Sequence, residues 1–328
     1  QVSDFAKQLE EYLNVKCVIP CGNGTDALQI ALMALGLEPG DEVITSNFTF
    51  AATAEVIALL KLKPVLVDVY PDTFNINTDE IENAITSKTK AIIPVHIFGQ
   101  SSDMESIMQI ANKHNLFVVE DTAQAIGANF TYKNGDSKKA GTIGDIGTTS
   151  FFPSKNLGCF GDGGAIFTNN LELGKRIAAI CNHGMYKRYY HDEIGVNSRL
   201  DSIQAAVLSV KLNYLNEYSS ARKTAAEFYN EAFISVTEIE TPTISNFSTH
   251  VFHQYTIKLD EKINRENLQE HLKSEGIPSM IYYPVPLHLQ KAYQNKRYEK
   301  GSFPITEKLS KTVLSLPMHT ELDTEQLT

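Results

Sequence analysis

The sequence predicts an α/β protein with a large domain built on a mostly parallel sheet and a smaller C-terminal α+β domain. Short apolar runs rich in β-branched residues alternate with amphipathic, helix-like stretches along the first half of the chain. This alternation is typical of βαβ units, in which a helix connects two parallel strands. The pattern changes in the last third, and 328 residues are enough for two domains.

The large domain is predicted to begin with a helix over residues 1–15, followed by regularly alternating elements. Strands are predicted at residues 41–46, 63–69, 90–99, 116–121 and 163–170. Helices are predicted at residues 23–37, 50–62, 77–85 and 103–115. Residues 201–233 predict one or two long helices that close this domain. We place the boundary near residue 225, which makes residues 1–225 the large domain.

The C-terminal domain, residues 226–328, has a different pattern. "HQYTIKL" (253–259) predicts a strand, and "NRENLQEHLKSEG" (264–276) predicts a helix. "SMIYYPVPLH" (279–288) follows as an apolar segment interrupted by prolines. These elements predict a small α+β unit.

Composition excludes several classes of function. A net charge of −10 and a pI near 5.4 argue against a nucleic-acid surface or docking on anionic membranes. No uncharged apolar run approaches the roughly 20 residues that span a bilayer. The four cysteines lack the spacing of a zinc site, so we expect reduced thiols, a cytoplasmic protein and no metal.

The first candidate site is the turn "GNGTDA", residues 22–27, which follows a short apolar run and opens a helix. Its G-x-G-x-x-A pattern raises the possibility of a dinucleotide-binding turn. That alternative is weak because the next predicted strand ends in "VITSNF", without an acid to hold a ribose. The N–H groups and the dipole of a helix N-terminus nevertheless suit a phosphate of any kind.

Two further candidates lie beyond predicted strands. Asp121 follows the apolar run in "VVEDTAQAIGA" (118–128), where ligands bind in open α/β sheets, and Gln124 is three residues further on. Lys155 lies in "SFFPSKNLGCFGDGG" (150–164), after Ser150 and before a glycine-rich stretch. A lysine in a partly apolar site has a lowered pKa and can form a Schiff base with an aldehyde. A phosphate-binding turn, a carboxylate for a pyridinium nitrogen and a Schiff-base lysine are the anchors of pyridoxal phosphate.

These segments resemble the DegT/DnrJ/StrS family of pyridoxal-phosphate-dependent nucleotide-sugar aminotransferases. The resemblance is carried by "GNGTDALQIAL", "GDEVITSNFTFAATAEVI", "AIIPVHIFGQ", "VVEDTAQAIGA", "SFFPSKNLGCFGDGGAI" and "GVNSRLDSIQAA". It extends from about residue 15 to the C-terminus. It implies the aspartate-aminotransferase-like fold, pyridoxal-phosphate fold type I, and a homodimer with shared active sites.

The resemblance also implies individual roles. Lys155 is similar to the Schiff-base lysine that shuttles protons, and Asp121 to the carboxylate that keeps the pyridine nitrogen protonated. The other cofactor contacts that it implies are Gln124 near the ring hydroxyl, Phe50 on the ring face, and Gly24, Thr25 and Ser150 at the phosphate. Asn197 matches an asparagine that reaches the phosphate in the neighbouring subunit.

A closer resemblance concerns the substrate. "NHGMYKRYYHDEIGVNSRLD" (182–201), "YYPVPLHLQKAY" (282–293) and "LSLPMHTELDTEQL" (314–327) are similar to enzymes that aminate C3 of a 3-oxo sugar nucleotide. The resemblance is greatest to the UDP-2-acetamido-2-deoxy-3-oxo-glucuronate aminotransferases of surface-polysaccharide pathways. It implies substrate contacts at Arg188, Arg199, Tyr282 and Tyr283, and L-glutamate as the amino donor. Tyr282 replaces an expected histidine, so dTDP-3-oxo-6-deoxyhexoses remain an alternative.

Other functions stay open at this stage. A sugar dehydratase would use the same cofactor, but that branch carries a histidine in place of Lys155. A regulatory protein would bind the cofactor without turnover. A nicotinamide-dependent oxidoreductase is the remaining alternative, which the missing ribose acid weakens. His96 in "IIPVHIFG" is predicted to be a buried, hydrogen-bonded histidine and not a ligand.

Overall fold

The computed structural model describes all residues, 1–328. The helices are α1 Val2–Leu13, α2 Gly24–Ala34, α3 Ala52–Leu59, α4 Thr78–Ala84, α5 Met104–His114, α6 Leu171–Cys181, α7 Ser202–Leu212, α8 Leu215–Phe233, α9 Arg265–Ser274, α10 Pro304–Thr312 and α11 Thr324–Leu327. The strands are β1 Cys17–Cys21, β2 Glu42–Ser46, β3 Lys63–Val67, β4 Thr89–Ile93, β5 Phe117–Asp121, β6 Asn129–Thr131, β7 Ser137–Lys139, β8 Ile146–Ser150, β9 Gly164–Thr168, β10 Met185–Lys187, β11 Tyr190–His191, β12 Ile239–Glu240, β13 Tyr255–Leu259 and β14 Val313–Leu316.

A seven-stranded sheet in the order β1-β9-β8-β5-β4-β2-β3 forms the centre of the large domain. All of its strands run parallel except β9, which is antiparallel to both β8 and β1. The strands β2, β5, β8 and β9 are buried along their whole length or nearly so, as expected for a sheet covered on both faces. The predicted mostly parallel sheet is therefore confirmed.

The run at 163–170 departs from the expected βαβ pattern, because β9 returns antiparallel to β8. The connection over residues 151–163 contains no helix. For β9 to run parallel to β8, the chain would have to cross back to the amino ends of the strands, and this segment makes no such crossover. The turn instead remains at the carboxyl end of β8, and it carries Lys155.

Helix α2 packs across one face of the sheet and connects the candidate phosphate-binding turn, residues 22–27, to the core. Its buried residues share one cluster with Val43, Val119, Ile146 and Ile166 from four strands. At its N-terminus the side chain of Asn23 accepts a hydrogen bond from the backbone N–H of Asp26 at 2.8 Å. This cap fixes the start of the helix at Gly24.

The C-terminal region contains a three-stranded antiparallel sheet in the order β12-β13-β14, with helices packed against it. Residues 201–233 form two helices, α7 and α8, and α8 passes without a break through residue 225. Its first part packs in the large-domain core through Leu215, whereas Ala226 and Tyr229 pack with β13 and β14. The division at residue 225 stays a prediction. No helix has the length and apolarity that a membrane crossing would need.

Candidate active site

A cavity of about 430 Å³ opens at the carboxyl ends of the parallel strands. This is the edge at which open α/β sheets bind ligands, because the connections after adjacent strands diverge there. Nine of the side chains or backbone positions singled out from the sequence line it: Gly24, Thr25, Phe50, Asp121, Gln124, Ser150, Lys155, Tyr282 and Tyr283.

The N-terminus of α2 forms one end of the cavity. The N–H groups of Gly24 and Thr25 belong to the first helical turn, where no intrahelical acceptor exists. A Cβ added at Gly24 would lie only 2.6 Å from the Cβ of Ser150, so the helix start and the end of β8 are in close contact. Two backbone donors, the hydroxyl groups of Thr25 and Ser150 and the helix dipole thus surround a space suited to a phosphate.

Asp121 lies at the carboxyl end of β5 and is 6% exposed. Its Oδ1 accepts a hydrogen bond from the backbone N–H of Ala123 at 3.0 Å, and its Oδ2 accepts one from the hydroxyl of Thr53 at 3.2 Å. Burial raises the pKa of the carboxyl group, whereas these hydrogen bonds and the charge of Lys155 act against that rise. A cationic N–H group bound in the cavity would compensate the buried charge.

Lys155 lies in the turn between β8 and β9, with its backbone N–H bonded to the carbonyl of Phe152 at 2.8 Å. Burial lowers the pKa of the ammonium group, and the nearby Asp121 carboxylate acts in the opposite direction. A lowered pKa increases the fraction of neutral amine, which is the form that attacks a carbonyl group. The sequence prediction of a lysine in a partly apolar site agrees with this environment.

The cavity wall between these groups consists of aromatic rings and the amide side chain of Gln124. Gln124 is buried, and its Oε1 accepts a hydrogen bond from the N–H of Phe98 at 2.8 Å. Phe50 lines the cavity and is 59% exposed, so much of its side chain is available to a planar ligand. Its ring centroid lies 6.4 Å from that of Tyr283.

The tyrosines come from the C-terminal region, which the large domain holds through a buried histidine. The backbone N–H of His288 donates to Asn47 Oδ1 at 3.0 Å, and Asn47 Nδ2 lies 2.7 Å from His288 Nδ1. The other ring nitrogen of His288 lies 3.1 Å from Glu307 Oε1. Residues 279–288 are therefore more than a part of the small C-terminal unit, because they place Tyr282 and Tyr283 on the wall of the cavity.

Three of the predicted residues lie outside the cavity of their own chain. Arg188 is exposed at the turn of the β10–β11 hairpin, where it lies over the ring of Tyr189. Asn197 and Arg199 are exposed as well, on either side of the buried Ser198. The hydroxyl of Ser198 accepts a hydrogen bond from the N–H of Gly22, so this segment is held beside the candidate phosphate-binding turn. The roles of all three residues stay predictions.

The structure adds residues that the sequence did not reveal. Thr53 supports Asp121 from α3, and His253 and Gln254 line the cavity from the segment before β13. No motif distinguishes them, because their contacts join parts of the chain that are far apart in sequence. His96 is fully buried, with Nε2 2.8 Å from Glu120 Oε2, and its Nδ1 accepts from the N–H of Ser102, which confirms a satisfied core histidine.

The residues present fit pyridoxal phosphate. A cradle of donors closed by Gly24 and Ser150 suits the phosphate, and Asp121 offers a buried carboxylate to a ring nitrogen. Lys155 supplies an amine of lowered pKa in the same cavity, and Phe50 supplies an aromatic face.

Comparison with known proteins gives one consistent result. The model of the DegT/DnrJ/EryC1/StrS aminotransferase family matches residues 1–328. The chain is 49% identical to a pleiotropic regulatory protein of Geobacillus stearothermophilus, over 99% of this chain and 87% of that protein. It is 46% identical to the UDP-2-acetamido-2-deoxy-3-oxo-D-glucuronate aminotransferase of Pseudomonas aeruginosa, over 100% of this chain and 88% of that protein.

Among solved structures, the chain resembles NtdA from Bacillus subtilis, which was crystallised with bound cofactor PMP. The TM-score is 0.90 at 37% sequence identity, and the match covers 99% of this chain and 74% of that one. The predicted fold is therefore confirmed.

Proposed function

Because the chain belongs to the DegT/DnrJ/EryC1/StrS aminotransferase family, we propose that it transfers an amino group from L-glutamate to the 3-oxo group of a nucleotide-linked sugar, in the biosynthesis of a surface polysaccharide. The protein is an aminotransferase of nucleotide-linked keto sugars, and its cofactor is pyridoxal phosphate. The observation that carries the assignment is the single cavity that unites Asp121, Lys155 and the start of α2.

Pyridoxal phosphate, when bound, supplies an electron sink next to the carbon atom that exchanges its proton. The chain's own residues do the rest. The N-terminus of α2, Thr25 and Ser150 would hold its phosphate, and Phe50 would pack against its ring. The Asp121 carboxylate would keep a proton on the ring nitrogen, which would strengthen the sink.

Lys155 acts as the general base and acid of both halves of the reaction. Its amine first removes a proton from the carbon atom that bears the donor's amino group. It then returns that proton to a neighbouring atom. It then performs the reverse transfer on the keto sugar. An amine whose pKa is lowered by burial suits both roles, since a general acid–base group works best when its pKa lies near the working pH.

A shortage of positive charge in the cavity supports the proposal of a homodimer with shared sites. Lys155 is the only lysine or arginine that lines the cavity, yet the reactants carry a phosphate, a donor carboxylate and a nucleotide diphosphate. Arg188, Asn197 and Arg199 are exposed in their own chain and are available to a second copy. Helix α7 also exposes Ile203 and Val210 two turns apart on one face, which suits burial against that copy.

The substrate proposal is UDP-linked 2-acetamido-2-deoxy-3-oxo-glucuronate. It is supported by the 46% identity to the Pseudomonas enzyme and by the planar fork of Arg199, which can bind a carboxylate through two hydrogen bonds. Arg188, Tyr282 and Tyr283 are the other proposed sugar-nucleotide contacts. The alternative substrates are the dTDP-3-oxo-6-deoxyhexoses, and the turnover experiment described next tests them as well.

The test is turnover by the purified holoenzyme with L-glutamate and each keto sugar, with the amino sugar detected by mass spectrometry. We expect the uronate to be aminated faster, and Lys155→Ala to abolish the reaction while the fold remains. Amination by Lys155→Ala at the parent rate would refute the assignment. Cofactor binding without turnover on either sugar would instead support a regulatory role, as the name of the Geobacillus relative suggests.

A further inference from the structure

A buried histidine lies in the wall of the cavity beside Lys155 and has no role in the mechanism above. His253 is 6% exposed and lines the cavity together with Gln254. It follows Phe252, whose φ of +43° is a left-handed backbone conformation that bulky residues rarely adopt. A strained backbone at the wall of a site indicates that the surrounding contacts hold this segment in one conformation.

Hydrogen bonds determine which nitrogen of His253 carries the proton. Asn156, the residue after Lys155, donates from Nδ2 to the carbonyl oxygen of Val251 at 2.8 Å. Its Oδ1 is therefore the acceptor that faces His253 Nδ1, 3.2 Å away. The hydrogen atom must lie on Nδ1 for this contact to be a hydrogen bond, which leaves Nε2 as the acceptor of a neutral ring.

The surroundings keep this ring neutral. Burial and the positive charges of Lys155 and Arg222 lower the pKa of His253 well below its ordinary value. Arg222 is itself buried, makes no ion pair with a carboxylate, and donates from Nη1 to the carbonyl oxygen of Phe252 at 3.1 Å. The one protein donor within hydrogen-bond distance of His253 Nε2 is the amide of Gln254, at the limiting distance of 3.5 Å, so this nitrogen is only weakly bonded.

We propose that His253 is a positioning residue for the reactive lysine. Through Asn156 it fixes the backbone next to Lys155, and its weakly bonded Nε2 accepts a hydrogen bond from the lysine nitrogen whenever that nitrogen is protonated. The inference rests on the proposed function, in which Lys155 alternates between its neutral and protonated forms. Its physical basis is that a hydrogen-bond acceptor stabilises the charged form of an amine.

Other charged and titratable groups lie around the same cavity as the lysine and are left in place by the test. Asp121 approaches from β5, and Asp162, Tyr282 and Tyr283 lie on the cavity wall. Arg222 lies behind His253, on α8.

The experiment is a pH titration of the visible absorbance of the holoenzyme, which reports protonation of the lysine nitrogen joined to the cofactor. In His253→Asn, the amide nitrogen replaces Nδ1 as donor to Asn156, but nothing replaces Nε2. His253→Phe removes both contacts. We expect the titration midpoint to fall by about one pH unit in both variants, because one acceptor of a charged hydrogen bond is lost.

Two variants complete the design. His253→Gln places an amide oxygen near the position of Nε2, so we expect it to restore most of the midpoint. His250→Asn alters a buried histidine three residues away that does not line this cavity, so we expect the parent midpoint.

The outcomes separate the inference from the proposed function. Midpoints equal to that of the parent in His253→Asn and His253→Phe, with only reduced thermal stability, would show a purely structural role and overturn the inference. A parent protein without a titrating lysine-linked absorbance would overturn the role of Lys155 itself, and the inference with it. A lowered midpoint that His253→Gln restores would establish the contact.

Discussion

Gln124 and Tyr283 meet in the wall of the cavity, where Gln124 Nε2 donates a hydrogen bond to the Tyr283 hydroxyl at 3.0 Å. The orientation of the amide is determined by Phe98, whose backbone N–H donates a hydrogen bond to Gln124 Oε1. The Tyr283 hydroxyl therefore acts as an acceptor towards Gln124, and its own proton has no protein acceptor. Burial raises the pKa of Tyr283, so the phenol remains a donor at physiological pH. This contact joins the strand end that carries Asp121 to the C-terminal region.

Tyr283→Phe should impair catalysis because it removes a donor from the cavity and leaves Gln124 Nε2 without a partner. We expect kcat/KM to fall about 10-fold, equivalent to about one lost hydrogen bond. The matched control is Tyr229→Phe, which removes a hydroxyl bonded to the carbonyl of Pro317, remote from the cavity. If both variants leave kcat/KM unchanged, the Tyr283 hydroxyl has no part in the reaction.

Asp121→Asn should keep the shape of the site and remove the charge that holds the ring nitrogen protonated. An amide still has one oxygen to accept from Ala123 or Thr53, so we expect the fold to persist. The rate of turnover should fall by about three orders of magnitude, since the electron sink is weakened. Asp162→Asn removes a carboxylate from the same cavity without these contacts and should retain most of the activity. A near-normal rate in Asp121→Asn would mean that another group tunes the ring.

Gly24→Ala should weaken cofactor binding. Its Cβ would lie 2.6 Å from the Cβ of Ser150, so the start of α2 or the end of β8 must shift. We expect the Kd for pyridoxal phosphate to rise at least about 10-fold, measured by equilibrium titration of the apoenzyme. Gly161→Ala is the control, because its nearest neighbour at 3.0 Å is the flexible end of the Gln204 side chain. Unchanged affinity in Gly24→Ala would remove this turn from the phosphate site.

His250 should make the protein less stable as the pH falls. Burial lowers its pKa from 6.5 to about 3 in the folded state. Below pH 6.5 the unfolded chain binds a proton that the folded chain does not, so the free energy of unfolding decreases as the pH falls towards about 3. Between about pH 7.5 and about pH 5 this histidine alone should cost about 2 kcal/mol.

Urea unfolding at both pH values measures this effect in His250→Asn, whose side-chain oxygen can still accept from the N–H of Phe252. The variant should lose about 2 kcal/mol less than the parent protein between the two pH values, whatever its absolute stability. His271→Asn, which replaces an exposed histidine on α9, is the matched control for the substitution itself. Equal losses in His250→Asn and the parent would show that His250 is not the group responsible.

A mixture of two inactive chains should regain activity if the active sites are shared. Lys155→Ala lacks the reactive amine, and a chain with the region of Asn197 deleted lacks the group that reaches its neighbour. In a heterodimer of the two, one site would combine an intact Lys155 with an intact Asn197, so we expect up to half of the parent activity per dimer. Purification with two different affinity tags isolates the heterodimer for assay. No activity in that species would argue against shared sites.

Much of the fold could be predicted because its signals are local. The alternation from β2 to β5 follows from apolar runs and helix periodicity, and most predicted ranges there agree with the observed elements to within three residues. The strand predicted at 90–99 is too long, because β4 ends at Ile93, just before Pro94. The direction of β9 could not be read in this way. It depends on the absence of a helix in the turn before it, and a strand's own residues do not encode its direction.

The sequence by itself determined the reactive groups of this protein, because each of them lies in a motif with a local reason. Gly24 begins a helix, Asp121 ends a strand, and Lys155 follows a strand with glycines after it. Tertiary structure decided which distant groups complete the site. Thr53, His253 and Tyr283 reach the cavity only because the sheet edge, α3 and the C-terminal region meet there. Tertiary burial also decided the chemistry of Lys155 and Asp121, since their pKa values depend on desolvation and on one another's charge, which no local pattern contains.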